Sequence, residues 1–314
     1  MSLKAKRIVV TGGEGFLGHH LVSYLRSYCS DLIVVRHADY DLLKDESVEA
    51  VYSVYKPDIV IHLAARVGGI QYNKANPGTL FYENLKMGLS MIHWGMLSKV
   101  EKFVCIGTIC SYPRVPPRIP FIEDDIWEGY PEETNAGYGI AKKALLVQCR
   151  VYRKQYGMNC IYLLPVNMYG EYDNFSEESS HVIPALIKRF LYAKESNLEE
   201  VSIWGSGLAT REFLYAGDCA RVITIATDSY NSSGPLNVGS GQEIAIKDLA
   251  NLIASIVHYT GRIVFDSSKP DGQPRRVLDT SRIQIELGFD SSSLLPLEEG
   301  LRRTVNWYLN RERV

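Results

Sequence analysis

The chain has 314 residues, of which 46% are hydrophobic and 22% are charged, and its formal net charge at pH 7 is −2. This length is enough for one large or two modest globular domains with a buried core. The small net charge excludes a long-range field that attracts nucleic acid or an anionic membrane, so any phosphate site must be built from a few local groups.

The cysteine pattern predicts the cellular setting. Six cysteines lie without Cys-x-x-Cys spacing, and the N-terminus lacks an apolar signal segment. These features predict a reducing, cytoplasmic environment and no metal site. No apolar run approaches the roughly 20 residues that span a bilayer, so we expect no membrane insertion.

Residues 6–11 (KRIVVT) form a short apolar run that leads into a glycine-rich turn and then into a helical pattern. A strand, a glycine turn and a helix in this order are typical of a dinucleotide-binding site, because the helix N-terminus offers free N–H groups to a pyrophosphate. The cofactor contacts predicted in this turn are Gly12, Gly15, Phe16, Leu17 and Gly18.

The second predicted strand (DLIVV) ends at Arg36, where a chain selective for NAD carries an acidic residue. A guanidinium at this position attracts a 2′-phosphate, which favours NADP over NAD. The alternative is that Arg36 is a solvated charge at the strand end. Asp41 and Leu42 follow in the region expected to reach the adenine.

Two further strands are predicted to end at the same cleft. The strand at 58–65 (DIVIHLAA) ends mostly in small residues, which leave room for the cofactor. The strand at 102–108 (KFVCIGT) brings Thr108 and Cys110 to the edge of the sheet where ligands of open parallel sheets bind. The cofactor contacts predicted at the end of the first of these strands are Leu63, Ala64 and Ala65.

Tyr138 and Lys142 lie four residues apart in the stretch GYGIAKK, and therefore on one face of a predicted helix. The positive charge of the lysine is predicted to lower the tyrosine pKa from its reference of about 10, which suits the phenol to proton exchange with a sugar or alcohol oxygen. Together with Thr108, these residues indicate ketone reduction. Tyr-x-x-x-Lys spacing also occurs by chance, so the prediction depends on the surrounding motifs.

The strict alternation of strands and helices loosens from about residue 171. We therefore predict an α/β fold with a Rossmann-type, doubly wound parallel sheet in an NADP-binding domain over residues 1–170, completed by about 212–242. Residues 171–314 are predicted to form mainly a smaller, mixed α/β domain that binds the substrate.

Several motifs in this order resemble a known family. TGGEGFLG, HLAA and the set Thr108, Tyr138 and Lys142 resemble the extended short-chain dehydrogenase/reductase superfamily over essentially the whole chain. GTICSYP, NMYGEYDNF, SSHVIPALIKRF and KPDGQPRR narrow the resemblance to the GDP-L-fucose synthase family, which epimerises and reduces GDP-4-keto-6-deoxy-D-mannose with NADPH. Thr108 departs from the serine that is common in this family, but the hydroxyl is kept.

The resemblance implies a role for each matching residue. Thr108, Tyr138 and Lys142 would serve reduction, while Cys110 and His181 would serve epimerisation. The further cofactor contacts predicted are Lys142, Pro165, Asn167 and His181. The substrate contacts predicted are Asn167, Arg189, Trp204, Arg211, Asp271 and, as a candidate for the nucleotide end, Arg276. A homodimer that pairs through two helices into a four-helix interface is also expected.

Alternatives stay open on the sequence alone. The same chemistry on another GDP-4-keto-deoxy sugar or deoxyheptose, with epimerisation at carbon 5 only or reduction only, fits these motifs equally well. A UDP-sugar 4-epimerase would keep NAD bound, and Arg36 argues against it. A non-enzymatic Rossmann-fold sensor or scaffold tends to lose the tyrosine or the lysine, and this chain keeps both. Without the family motifs around them, Cys110 would more often be a buried core residue than a catalytic one, and His181 could simply cap a turn.

Overall fold

The computed structural model describes residues 3–269 and 271–311, so residues 1–2, 270 and 312–314 of the two predicted domains lie outside the described residues. The strands are β1 (Arg7–Thr11), β2 (Asp31–Val35), β3 (Ile59–His62), β4 (Lys102–Ile106), β5 (Cys160–Pro165), β6 (Asn167–Tyr169), β7 (Glu200–Trp204), β8 (Thr210–Tyr215), β9 (Pro235–Val238), β10 (Glu243–Ala245), β11 (Arg262–Asp266) and β12 (Arg275–Arg276). The helices are α1 (Phe16–Leu25), α2 (Asp45–Tyr55), α3 (Ile70–Ala75), α4 (Pro77–Leu97), α5 (Ala136–Tyr156), α6 (Val182–Glu195), α7 (Ala216–Ser229), α8 (Ile246–Val257), α9 (Ser281–Leu287) and α10 (Leu297–Arg311).

A six-stranded parallel sheet in the order β2-β1-β3-β4-β5-β9 is the centre of the larger lobe. β3, β4, β5 and β9 are buried along their whole length, as expected for strands covered on both faces. Helices α1 and α7 pack against each other, and α2, α4 and α5 form a second packed group. The doubly wound Rossmann-type sheet predicted from the sequence is confirmed.

The order of the strands fixes the place of the cleft. The chain moves outward from β1 to β2, then crosses back to continue through β3, β4, β5 and β9 on the other side. Loops that follow β1 and β3 therefore leave the sheet in opposite directions, which opens a crevice at the carboxyl ends of these strands.

The smaller lobe contains a sheet in the order β10-β8-β12, with β6 also paired to β8, and a two-stranded sheet of β7 and β11. Helices α6, α8 and α10 supply its separate hydrophobic cluster, in which Phe190, Ile253 and Leu301 are buried. β6 and β8 continue directly from β5 and into α7, so the smaller lobe joins the larger one beside the cleft.

Two boundaries differ from the sequence-based expectation. β8, at the start of the predicted completing segment, belongs to the smaller sheet, while α7 and β9 pack in the larger lobe. The chain near the C-terminus also returns to the larger lobe, since Leu278, Ile283 and Phe289 are buried in its hydrophobic cluster. The physical reason is that α9 packs against β9, a contact that local sequence patterns do not encode.

Candidate active site

The glycine turn after β1 brings three chain segments into contact. Gly12 has φ of +70°, and a Cβ atom there would lie 2.7 Å from the backbone nitrogen of Ala64. A Cβ on Gly18 would lie 2.1 Å from the carbonyl oxygen of Gly12. Gly15 caps α1 without a side-chain hydrogen bond, so the first N–H groups of the helix, at Phe16 and Leu17, have no side-chain acceptor and suit a diphosphate.

The end of β3 is held beside this turn by Thr11. Its carbonyl oxygen accepts a hydrogen bond from the Leu63 nitrogen at 3.1 Å, and its hydroxyl accepts one from the Ala64 nitrogen at 3.3 Å. The same hydroxyl contacts Nδ1 of His62 at 2.7 Å. Leu63, Ala64 and the following Ala65 are only partly buried, so this segment borders the cleft.

Arg36 lies at the end of β2, exposed to solvent. Its guanidinium forms a fork with Asp39, with Nε 2.7 Å from Oδ2 and Nη2 3.0 Å from Oδ1. A bound 2′-phosphate would compete with this exposed carboxylate for the same donors. Asp41 accepts a hydrogen bond from the Leu43 nitrogen, and the Leu42 side chain is buried in the core, so Leu42 can meet an adenine only through its backbone.

Thr108, Cys110, Tyr138 and Lys142 meet where β4 ends and α5 begins. The Thr108 side chain lies close enough to the Tyr138 hydroxyl to lower its pKa, and the Thr108 oxygen accepts a hydrogen bond from the Cys110 nitrogen at 3.2 Å. The Lys142 ammonium lies 5.9 Å from the centre of the Tyr138 ring. The structure thus brings together four side chains that the sequence predicted to act on one carbonyl group.

A glycine allows this close approach. The Ser111 hydroxyl donates to the Gly139 carbonyl oxygen at 3.0 Å, and a Cβ on Gly139 would lie 2.3 Å from the carbonyl oxygen of Cys110. From β5, the Tyr162 hydroxyl donates to the Lys142 carbonyl oxygen at 2.6 Å. The turn that carries Cys110 is therefore fixed against the first turns of α5.

The expected effect of Lys142 on Tyr138 was wrong. Burial raises the Tyr138 pKa, the neighbouring Cys110 raises it further, and the hydrogen bond with Thr108 only partly opposes them. Burial also lowers the pKa of Lys142, whose side chain is almost fully enclosed. Desolvation therefore outweighs the attraction between ammonium and phenolate. The phenol keeps its proton near neutral pH, which is the form that an acid needs to protonate a sugar oxygen.

Cys110 is the one cysteine of the six that is not fully buried. Its sulfur accepts a hydrogen bond from Nη2 of Arg276, at 3.6 Å. The sequence placed Arg276 at the nucleotide end of the substrate, whereas the structure places its guanidinium against the thiol. A substrate contact of Arg276 stays a prediction.

His181 is the residue before α6, and as a whole residue it is exposed. The protein atoms around the imidazole still desolvate it enough to lower its pKa, so the ring is neutral near pH 7. Within residues 3–269 and 271–311, the imidazole makes no hydrogen bond that would occupy it. The preceding residues bond to the loop that follows β3, because the Gly69 nitrogen donates to the Ser179 carbonyl at 2.8 Å. Its catalytic role stays a prediction.

Trp204, Arg211 and Asp271 lie together at the edge of the smaller lobe. The Asp271 carboxylate accepts hydrogen bonds from the nitrogen and hydroxyl of Ser206 at 2.7 and 2.8 Å, and its carbonyl accepts one from Arg211 at 3.2 Å. A Cβ on Gly205, which has φ of +88°, would lie 2.4 Å from the Asp271 carboxylate. Trp204 is 57% exposed, and the Lys269 ammonium lies 5.8 Å from the centre of its ring. The exposed part of the ring is available for stacking.

Two further predicted substrate contacts border this cluster. Arg189 on α6 donates to the Ser202 carbonyl at 2.8 Å, two residues before Trp204. Asn167 lies at the junction of the lobes, where its amide donates to the Glu212 carbonyl at 3.3 Å. Pro165 ends β5 just before it and is buried.

Glu212 is a residue of the site that the sequence analysis missed. It is fully buried, and its carboxylate accepts hydrogen bonds from the backbone nitrogens of Gly241 and Leu278, each at 2.7 Å. Burial raises its pKa to about 7. These bonds hold the segment that carries Arg276 against β8. The signal that could have revealed Glu212 is an acidic residue beside Arg211 at the start of the apolar run FLY.

Within the described ranges, no group of three or more His, Cys, Asp or Glu side chains could hold a metal ion. In the same part of the chain, no helix is long and apolar enough to cross a membrane.

Comparison with known proteins gives concordant matches. Residues 8–239 match the model of the NAD dependent epimerase/dehydratase family. A probable GDP-L-fucose synthase 1 of Oryza sativa subsp. japonica is 40% identical over 98% of this chain and 93% of its own length. Among solved structures, a GDP-6-OMe-4-keto-L-xylo-heptose reductase from C. jejuni has a TM-score of 0.90 and 28% identity, with 99% of each chain covered. A GDP-L-fucose synthetase from Naegleria fowleri bound to NADP has a TM-score of 0.89 and 26% identity, with 99% of this chain and 96% of that one covered.

Proposed function

Because the chain belongs to the NAD dependent epimerase/dehydratase family, and within it to the GDP-L-fucose synthases, we propose that it converts GDP-4-keto-6-deoxy-D-mannose to GDP-L-fucose with NADPH. The observation that carries this proposal is the position of the partly exposed Cys110 thiol beside the Tyr138 phenol. A plain ketone reductase needs the phenol but has no use for a thiol next to it.

The epimerisation follows from the acidity of the substrate. A ketone at carbon 4 makes the hydrogens on carbons 3 and 5 acidic, because the carbanion is delocalised as an enolate. Cys110 as a thiolate removes such a proton, and His181 returns one to the opposite face of the enolate. Thr108 and Tyr138 donate hydrogen bonds to the carbonyl oxygen, where negative charge develops.

Reduction completes the reaction at carbon 4. A bound NADPH would supply a hydride at carbon 4, and the Tyr138 hydroxyl gives its proton to the oxygen of that carbon. The raised pKa of Tyr138 keeps that proton in place until the oxygen becomes basic. The Lys142 ammonium lies 5.9 Å from the centre of the Tyr138 ring, and from there it would hold the nicotinamide ribose of a bound cofactor.

The residues around the glycine turn fit an NADP cofactor. The close contact of Gly12 with Ala64 and the open start of α1 form a cradle for the diphosphate. Arg36 at the end of β2 can bind a 2′-phosphate once it releases Asp39.

We predict that Arg36→Gln weakens NADPH binding by about tenfold, because it removes a charge-assisted hydrogen bond to the 2′-phosphate. NADH binding should change little, and fluorescence titration of both cofactors measures the difference. Asp39→Asn is the matched control, since it frees Arg36 from its carboxylate partner and should tighten NADPH binding. Equal losses for NADPH and NADH in Arg36→Gln would show that Arg36 is a structural charge.

The GDP end of the substrate fits the cluster on the smaller lobe. Trp204 offers an exposed ring, and the guanidinium groups of Arg189 and Arg211 suit a diphosphate. The sugar then extends from this cluster towards Cys110 and Tyr138 across the cleft.

We also propose a homodimer. Helices α4 and α5 pack side by side and leave an apolar stripe exposed, in which Leu89, Val147 and Val151 are 38%, 44% and 47% exposed. Val147 and Val151 are four residues apart, and Phe81 lies two turns before Leu89 on α4, so each helix presents one continuous face. The same stripe on a second copy would cover it as a four-helix interface.

The double substitution Leu89→Glu and Val151→Glu should convert the protein to a monomer at micromolar concentration, because two unpaired carboxylates would be buried. Light scattering after gel filtration measures the mass. Val54→Glu, at a 62% exposed position on α2, is the control and should leave the dimer intact. An unchanged mass in the double variant would exclude this interface.

We propose that the protein works in the cytoplasm. All six cysteines are free, and five of them are buried as thiols. This usage fits a reducing compartment.

The heptose reductase match keeps a second substrate class open, since that protein is named for a GDP-4-keto-heptose. The test is turnover of purified protein with NADPH and a panel of GDP-4-keto sugars, with each product identified by mass spectrometry and NMR. We expect the fastest NADPH oxidation with GDP-4-keto-6-deoxy-D-mannose. No turnover of that sugar would reject the proposed substrate, and faster turnover of a heptose would replace it.

A further inference from the structure

The guanidinium of Arg276 points at the reacting end of the cleft. β12 pairs in parallel with β8, and this register sets Arg276 opposite Arg211. Nη2 of Arg276 donates to the Cys110 sulfur at 3.6 Å, and Nε is buried without a hydrogen-bond partner among the described residues. A half-buried guanidinium with an unused donor is costly unless an anion comes beside it.

The neighbouring Arg275 shows the contrast within one strand. Its guanidinium forms an ion pair with Glu243, with Nη2 2.5 Å from Oε2 and Nε 3.2 Å from Oε1. Across residues 3–269 and 271–311, Arg276 has no carboxylate partner of this kind. The positive charge of Arg276 can therefore interact with the Cys110 thiol and with a ligand bound in the cleft.

The structure places two ionisable side chains against Cys110, one from α5 and one from β12. Tyr138 on α5 is a neutral phenol near pH 7, and Arg276 on β12 is a cation. Behind Arg276, burial and the Arg276 charge together lower the pKa of Arg211 on β8 to about 10, so Arg211 is also a cation near neutral pH. The Asp271 carboxylate partly offsets this lowering of the Arg211 pKa. Among these groups, the Arg276 guanidinium is in hydrogen-bond contact with the sulfur, through Nη2 at 3.6 Å, and a cation in that position suits a thiolate better than a thiol.

We propose that Arg276 is the positioning residue for the base of the epimerisation: its guanidinium pairs with the thiolate form of Cys110 and aims the sulfur at the sugar. This inference rests on the proposed function. When the thiolate takes a proton from carbon 3 or 5, the electrons of the C–H bond pass into the enolate and the sulfur becomes a thiol. Arg276 keeps all its protons throughout.

The test uses the reactivity of Cys110 and needs no substrate. Iodoacetamide reacts with thiolates, and Cys110 is the most accessible target, because it is partly exposed and the other five cysteines are buried. Alkylation rates are measured from low to high pH for the wild type and for Arg276→Gln, with peptide mass spectrometry to locate the label. Cys110→Ala should lose this label. Arg275→Gln is the matched control on the same strand.

We expect Arg276→Gln to slow alkylation near neutral pH by about tenfold and to move the whole pH profile upward, as loss of a neighbouring cation does for a thiolate. Arg276→Lys keeps the positive charge, so its alkylation rate should lie between those of the wild type and Arg276→Gln. Arg275→Gln should be alkylated at the wild-type rate. Unchanged rates and an unchanged pH profile in Arg276→Gln would overturn the proposal.

Two further results distinguish a failure of this inference from a failure of the proposed function. If Arg276→Gln does not fold, the wild-type profile decides, because a midpoint near the ordinary cysteine value of about 8.5 would show that no cation acts on the sulfur. If Arg276→Gln slows alkylation as expected but the wild-type protein does not turn over GDP-4-keto-6-deoxy-D-mannose, the pairing of Arg276 with Cys110 is supported and the proposed substrate is rejected.

Discussion

Cys110→Ser should abolish the exchange of solvent deuterium into carbons 3 and 5 of the sugar, with a loss of at least about 100-fold. A serine hydroxyl occupies nearly the same space as the thiol but does not ionise near neutral pH, so the base is lost while the turn is kept. The backbone nitrogen of Cys110 still donates to Thr108, which preserves the local fold. NMR of GDP-4-keto-6-deoxy-D-mannose in D₂O without NADPH measures the exchange directly.

Cys29→Ser is the control for this experiment. Cys29 is buried at the far side of the larger lobe, where its sulfur donates to the Lys6 carbonyl at 3.0 Å, and a serine can keep that bond. The Cys29→Ser variant should exchange deuterium into carbons 3 and 5 at the wild-type rate. Exchange at the wild-type rate in Cys110→Ser would remove Cys110 from the reaction.

Tyr138→Phe should lower the rate of NADPH oxidation by about 100- to 1,000-fold, because no proton is delivered to the oxygen at carbon 4. Exchange at carbons 3 and 5 should persist at a reduced rate, since Thr108 still donates to the carbonyl group. Stopped-flow absorbance of NADPH follows the reduction, and NMR follows the deuterium exchange. A much larger loss in NADPH oxidation than in deuterium exchange would show that reduction depends on the phenol and that epimerisation depends on other side chains of the same cleft.

Tyr156→Phe at the other end of α5 is the control, because that ring is 49% exposed and far from the cleft. The pH dependence gives an independent check. Burial raises the Tyr138 pKa, so its acid form persists as pH rises, and reduction should not slow until the pH exceeds the ordinary tyrosine value of about 10. Unchanged NADPH oxidation in Tyr138→Phe would contradict the role of the phenol.

The features that could be predicted from sequence are those set by short-range patterns. The turn at Gly12 and Gly18 follows from its position between an apolar strand and a helix, and the structure shows the close backbone contacts that exclude a side chain there. The spacing of Tyr138 and Lys142 likewise places both on one helical face.

The features that escaped prediction depend on long-range contacts. Helical spacing sets the distance between Tyr138 and Lys142, but burial by the rest of the fold decides the direction of the pKa shift. Arg276 meets Cys110 only because β12 pairs with β8, a register that no local pattern encodes. The buried carboxylate of Glu212 fixes that same segment through backbone bonds, so its importance also becomes visible only in the folded chain.

The most direct test of the account is the reaction of the wild-type protein with GDP-4-keto-6-deoxy-D-mannose and NADPH in D₂O. We predict a GDP-L-fucose product that carries deuterium at carbons 3 and 5 and ordinary hydrogen at carbon 4, where the hydride arrives. A reduced sugar with its original configuration and no deuterium at carbons 3 and 5 would contradict the account, because it would leave a simple ketone reductase.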